Sequence, residues 1–148
     1  MTGTPGQAAE TGVVFYVLRE PSERAVDTLT CKVVEMAWRR GLKVLIVGRD
    51  VEHCGLLDDL LWTFSQGSFI PHAVGDDPDV PVRIAESVSP ARERCDVIVS
   101  RHPDPVAESF HHLRIADIIG ASEADRQQAR RRFRYYRDHG FAPETHHL

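Results

Sequence analysis

The residues best placed to do chemistry in this sequence are arginines. Arg126, Arg130, Arg131, Arg132, Arg134 and Arg137 stand among Phe133, Tyr135 and Tyr136, with Glu123, Asp125 and Asp138 as the nearby carboxylates. The local charge is +3, in a chain whose formal net charge is −4. At about 100° per residue, Arg126, Arg130, Phe133 and Arg137 share an arc of roughly 60° on a helix, with Arg134 on its flank. That makes one cationic stripe with a ring in it. Guanidinium groups pair bidentately with carboxylates and phosphates, so the chemistry on offer is anion recognition beside an aromatic surface. The plainer alternative is a solvated helix face with Phe133 turned inward. From Glu123 to His139 there is no leucine, isoleucine or valine, which describes a peripherally packed helix that presents side chains to something else.

Three kinds of partner could use the stripe. Single-stranded nucleic acid calls for several stacking platforms and a longer positive track, and the negative net charge works against it. A lipid surface calls for bulky apolar residues on the opposing helix face, which are missing. An acidic peptide, supplying carboxylates for the arginines and an apolar residue for the surface beside Phe133, fits best. A second candidate surface lies in "DDLLWTFSQGSFIPHA", where Trp62, Phe64, Phe69 and Ile70 crowd around a glycine loop. Such aromatics are ordinary core residues in most settings, but an apolar pair directly before Pro71 cannot sit in mid-sheet and resembles a protein–protein hot spot.

Catalysis and metal binding find little support. No G-x-G-x-x-G, P-loop, G-x-S-x-G or H-E-x-x-H pattern occurs. His53 adjoins Cys54, and His111 adjoins His112, so each pair diverges on any regular element. His146 and His147 are expected at a frayed end, and Asp76, Asp77 and Asp79 in a solvated turn. Cys31, Cys54 and Cys95 form no C-x-x-C, and their odd number suits a reducing cytosol. The N-terminus lacks the basic start and apolar run of a signal peptide, and no segment has 18 consecutive apolar residues, so secretion and membrane insertion are not expected.

The elements that must position these residues read as a single α/β domain. Its 148 residues are enough for one core. Residues 1–12 are small and polar and are expected to be a disordered extension, with the domain running from 13 to 148. "VVFYVL" (13–18) is a buried strand, followed by a helix capped by Ser22 and ending before Gly41. "KVLIVG" is a second strand, completing a parallel βαβ unit. Asp50 caps a second helix, weakened by about 1 kcal/mol relative to alanine at Gly55. "SQGSFIPHAVGDDPDVP" reads as an exposed loop. Strands follow at "VRIAES", "CDVIVS" and "RIADIIG", with a short helix around 106–113 and the arginine helix over Glu123–His139. The expected architecture is Rossmann-like, a mostly parallel sheet flanked by helices. Its first turn, "REPSER", has no glycine with which to approach a phosphate, which leaves a nucleotide-binding enzyme or sensor as the alternative to a binding module.

Taken together, "VVFYVL", "GLKVLIVGRD", "LDDLLWTFSQGSFIPHA", "CDVIVS" and "ARRRFRYYRDHGF" resemble, in order and from about residue 13 to 141, the chi subunit family of the bacterial DNA polymerase III holoenzyme. The resemblance implies a non-catalytic, cofactor-free cytoplasmic adaptor attached to the clamp loader, touching DNA only indirectly. One surface would bind the psi subunit or, in competition, a repair helicase; it falls on Trp62, Phe69, Ile70, Pro71 and His72. The other would bind the acidic C-terminal tail of single-stranded-DNA-binding protein, which typically ends in Asp-Asp-Ile-Pro-Phe; it falls on Arg126, Arg130, Phe133, Arg134 and Arg137. The chain departs from the family's pattern in its polar N-terminal extension, in Phe133 where tyrosine is expected, and in Arg134 where lysine is expected.

Overall fold

Seven strands, each paired only in parallel, build the centre of the molecule. They are β1 (Val13–Val17), β2 (Val44–Val47), β3 (His72–Val74), β4 (Val82–Ala85), β5 (Val97–Ser100), β6 (Arg114–Ile119) and β7 (Pro143–His147). Three helices flank them: α1 (Glu23–Arg39), α2 (Val51–Thr63) and α3 (Glu123–Asp138). The computed structural model describes residues 12–20, 22–75, 77, 79–88, 95–107 and 114–148. The proposed N-terminal extension therefore lies outside the described residues up to Gly12, whose carbonyl already accepts a hydrogen bond from the Ile115 N–H. The short helix expected around 106–113 lies mostly outside them as well.

The strand order is β3-β4-β2-β5-β6-β1-β7. The first βαβ unit is therefore not a pair of neighbours: the chain leaves β1, passes along α1 and enters β2, with β5 and β6 lying between the two strands. The inner strands are near-continuous apolar runs because both of their faces are covered. Val44, Ile46, Ile84, Val97, Val99, Ala116 and Ile118 face α1 and α2. Val13, Phe15, Leu45, Ile98, Ile115 and Ile119 face α3. The period-two alternation of side chains thus yields two cores, one on each side of the sheet.

The caps of α1 and α2 are the expected ones, and α3 has a cap of the same kind. The Ser22 hydroxyl accepts from the Ala25 N–H, Asp50 accepts from the His53 N–H, and Ser122 accepts from the Asp125 N–H. Two strands were not anticipated. β3 rises within the stretch read as a loop, as a three-residue edge strand on β4. β7 forms where a frayed end was expected and pairs with β1 from Val13↔Pro143 to Val17↔His147. The turn between α3 and β7 explains it. Gly140 takes φ 86°, the Phe141 N–H reaches back to the Tyr136 carbonyl at 3.0 Å, and the Phe141 ring is buried against Tyr136. This glycine-terminated helix end with its apolar contact sends the chain back along the sheet.

Candidate functional site

The docking of α3 decides what its arginines can reach. Ala129, Arg132 and Tyr136 form its buried side, and the Tyr136 hydroxyl accepts from the Val106 N–H at 2.9 Å. Arg132 does not belong to the free cationic set. Its Nε and Nη2 contact the two oxygens of Asp117 at 2.8 and 2.9 Å, and its Nη1 donates to the Pro103 carbonyl at 3.0 Å. Asp117 sits in the middle of β6 and is fully buried. Burial alone would lower the Arg132 pKa, but the Asp117 charge outweighs it and holds the guanidinium charged. The helix therefore uses aromatic rings and one bidentate ion pair where most helices use leucine.

That orientation turns Arg126, Arg130 and Phe133 toward the sheet's β7 edge. There they line a cleft of about 250 Å³ with Phe15, Val17, Ile119, Ala129, Thr145 and His147. The floor is apolar, with Phe133 half-buried and its ring centroid 5.5 Å from that of Phe15. Small-molecule sites span roughly 300–1,000 Å³, so this cleft has room for about one or two side chains. Arg130 is exposed and reaches Glu123 only at 3.5 Å. The Nε of Arg126 is shielded and has no hydrogen-bond partner among the described residues, a state that an arriving carboxylate would relieve. Of the other two predicted residues, Arg137 is exposed beside Asp138 and Arg134 is exposed. Neither lines the cleft, although both stand on the same helix. Thr145 and His147 form the opposite wall and were missed from the sequence, because the strand that carries them was missed.

The second predicted surface divides in two. Trp62 and Phe69 are 58% and 77% exposed, and Pro71 is exposed too. Ile70, by contrast, is buried at 1% and belongs to the core under α1 and α2. His72 is a support: its side chain is enclosed, its ring nitrogens contact the carbonyls of Ile70 and Asp58 at 2.6 and 3.0 Å, and Trp62 packs on it at 4.5 Å. Phe69 is held outward by its neighbours, since the Ser68 hydroxyl bonds Glu35 and Ile70 is anchored in the core.

Around the carboxyl ends of β2, β5 and β6, part of the crevice where Rossmann-type sheets bind nucleotides, the space is filled by protein. Arg101, just after β5, bonds Asp27 at 3.2 Å, Glu23 at 2.8 Å and the Ile118 carbonyl at 3.2 Å. His53 Nδ1 accepts from the Arg49 N–H, leaving Nε2 to donate to Asp27 at 2.9 Å. Burial pushes the Asp27 pKa up, yet the hydrogen bond from His53 and the charge of Arg101 outweigh it and hold the carboxyl below the usual range. Two carboxylates thus occupy the N-terminal turns of α1, where a phosphate would need donors. The space left beside Arg49, Arg101 and Arg132 is about 20 Å³, enough for a water molecule at most. Among the described residues no three His, Cys, Asp or Glu side chains gather to hold a metal ion. No helix among them is long and apolar enough to cross a membrane.

Fold and site together define a single α/β domain with an apolar, arginine-rimmed cleft at one edge of its sheet. The comparisons place it among known proteins. The family model for the DNA polymerase III chi subunit, HolC, matches residues 11–144. The chain is 31% identical to DNA polymerase III subunit chi of Pseudomonas aeruginosa over 139 residues, covering 93% of this chain and 97% of that one. It is 31% identical to the Escherichia coli subunit over 138 residues, covering 88% and 94%, and 25% identical to that of Haemophilus influenzae over 137 residues, covering 90% and 95%. The chain belongs to the DNA polymerase III chi subunit family and is an accessory subunit of DNA replication.

Proposed function

We propose that the chain is a non-catalytic cytoplasmic adaptor, and that the cleft between α3 and β7 receives the acidic C-terminal tail of single-stranded-DNA-binding protein. The observation that carries this reading is the cleft itself, an apolar slot for one ring with two guanidiniums on its rim, one of them with an unpartnered Nε. The terminal phenylalanine of the tail enters beside Phe15 and Phe133. Its carboxylate pairs with Arg130, within reach of Arg126, and the upstream aspartates meet Arg134 and Arg137 along the helix. Few groups are desolvated, so the affinity is micromolar, about −8 kcal/mol, and weakens with salt. The exposed Trp62 and Phe69, supported by Ile70 and His72, form the separate surface for the psi subunit or a repair helicase, so that the protein links the clamp loader to tail-bearing protein on DNA.

The test is fluorescence anisotropy of labelled Met-Asp-Phe-Asp-Asp-Asp-Ile-Pro-Phe titrated with the protein, beside the same peptide without its last residue. Micromolar binding that disappears with the phenylalanine is expected, as is at least a tenfold loss in Arg130→Ala. Equal binding of the two peptides would remove the cleft from the reading.

A further inference from the structure

Between Arg49 and Arg83 the chain carries seven carboxylates and no lysine or arginine. This segment builds α2, the Phe69 loop and the edge strand β3, so the fold gathers an acidic surface on the flank opposite the cationic cleft. Val51, Gly55, Asp58 and Trp62 recur at i, i+4, i+7 and i+11 and run along one flank of α2. That flank faces β3, because Trp62 packs on His72 and the Asp58 carbonyl contacts the His72 ring. Val74, two residues beyond His72, points to the same side of the strand. Val51, Trp62, Phe69 and Val74 are 72%, 58%, 77% and 55% exposed. Val51 and Trp62 lie on this flank and Val74 beside it, an exposed apolar strip along the outer edge of the sheet, with Phe69 on the loop between α2 and β3.

Gly55 lies between Val51 and Trp62 on this flank. It is exposed, and a Cβ built there would meet nothing within 4 Å. The chain's own packing therefore has no need of glycine, which weakens a helix interior. What glycine does permit is the close approach of a second backbone. Glu52 and Asp59 stand on the exposed crest of α2, and Asp77 and Asp79 follow β3, while Arg49, two residues before Val51, is paired with Glu23. The last turn of α2 has no basic residue, so the negative end of its dipole is uncompensated.

We propose that this strip docks a cationic amphipathic helix of a partner protein. Its apolar face lies on Val51, Trp62, Phe69 and Val74, its backbone passes over Gly55, and its lysines or arginines meet Glu52 and Asp59. The inference rests on the reading of the Trp62 and Phe69 surface as a partner site and adds the chemistry of the occupant.

The experiment titrates the full-length, isotope-labelled protein with stapled helical peptides about five turns long. The peptides share one leucine-alanine face and carry lysine, glutamine or glutamate on the other. The lysine peptide is expected to shift the signals of Val51, Gly55, Val74 and the Trp62 indole, binding at least tenfold more tightly than the glutamine peptide and more weakly as salt rises. Gly55→Gln, which puts a long side chain with good helix propensity in the middle of the strip, is expected to keep or raise the thermal midpoint while weakening binding at least tenfold. Phe69→Ala is expected to weaken it similarly without unfolding the protein. Equal binding of all three peptides at these signals would keep a docking surface and overturn the cationic occupant. No shift at these signals with the lysine peptide, or wild-type binding by Gly55→Gln, would overturn the proposal itself. The tail peptide, titrated into the same sample, reports separately on the cleft between α3 and β7.

Discussion

Replacing Arg132 by leucine should be the most damaging single change on α3, although the sequence offers five other arginines there that look alike. In the folded protein both Asp117 oxygens are engaged by this guanidinium, at 2.8 and 2.9 Å, and Asp117 is fully enclosed. Removing one partner leaves a buried carboxylate uncompensated, which costs about 3–5 kcal/mol, out of a total stability of about 5–15 kcal/mol for a domain. With a urea slope of about 1–3 kcal/mol per molar, the unfolding midpoint falls by about 2 M. Arg134→Leu, at an exposed position on the same helix, should move stability by no more than about 0.5 kcal/mol. A double-mutant cycle completes the test. Arg132→Leu combined with Asp117→Leu should be much less unstable than the sum of the two singles, since the double variant buries no unpaired charge. Additive singles, or an Arg132→Leu variant as stable as the wild type, would refute the argument that one ion pair fixes the docking of α3.

Adjacent residues in the Phe69 loop should behave oppositely. Ile70→Ala should cost about 2–5 kcal/mol by opening the core, whereas Phe69→Ala should leave urea denaturation nearly unchanged. Asp27 has a folded-state pKa held below its unfolded value, so its contribution to stability is present above the unfolded value of about 3.9 and is lost as pH falls through the folded one. The stability gap between wild type and Asp27→Asn should therefore narrow from pH 7 to acid, and a constant gap would contradict the network drawn around Arg101. All three thiols are buried, with Cys31 pushed up to about 12 and Cys95 to about 11, mainly by burial. A chromogenic disulfide at pH 8 should react slowly with native protein and with three thiols after denaturation; prompt native reaction would contradict their enclosure.

What could be read from the sequence follows from where each element lies. β1, β2, β5 and β6 are covered on both faces and so spell themselves as largely apolar runs, β6 being interrupted by Asp117. The caps Ser22 and Asp50 announce their helices through local hydrogen bonds that need no tertiary context. β7 could not be seen, because "PETHH" has no apolar face; its pairing comes from β1 and from the turn that Gly140 and Phe141 make. With it went Thr145 and His147, the wall of the cleft opposite α3. The helical stripe of Arg126, Arg130 and Phe133 was legible because it depends only on spacing. The removal of Arg132 from the cationic count was not read, although a signal existed: Asp117 stands alone inside the apolar strand "RIADII", and a buried carboxylate requires a cation. Ile70 and His72 were grouped with Trp62 and Phe69 because the loop's residues alternate between core and solvent, which composition alone does not reveal.

The most direct test of the central claim is to record isotope-filtered nuclear Overhauser contacts between the ring of the tail's terminal phenylalanine and the labelled protein. Contacts to the Phe15 and Phe133 rings, the Val17 methyls and the Thr145 methyl are expected, all lost in Arg130→Ala at the same peptide concentration. Contacts to Trp62 or Phe69, or a bound tail whose ring touches none of the cleft residues, would contradict that claim.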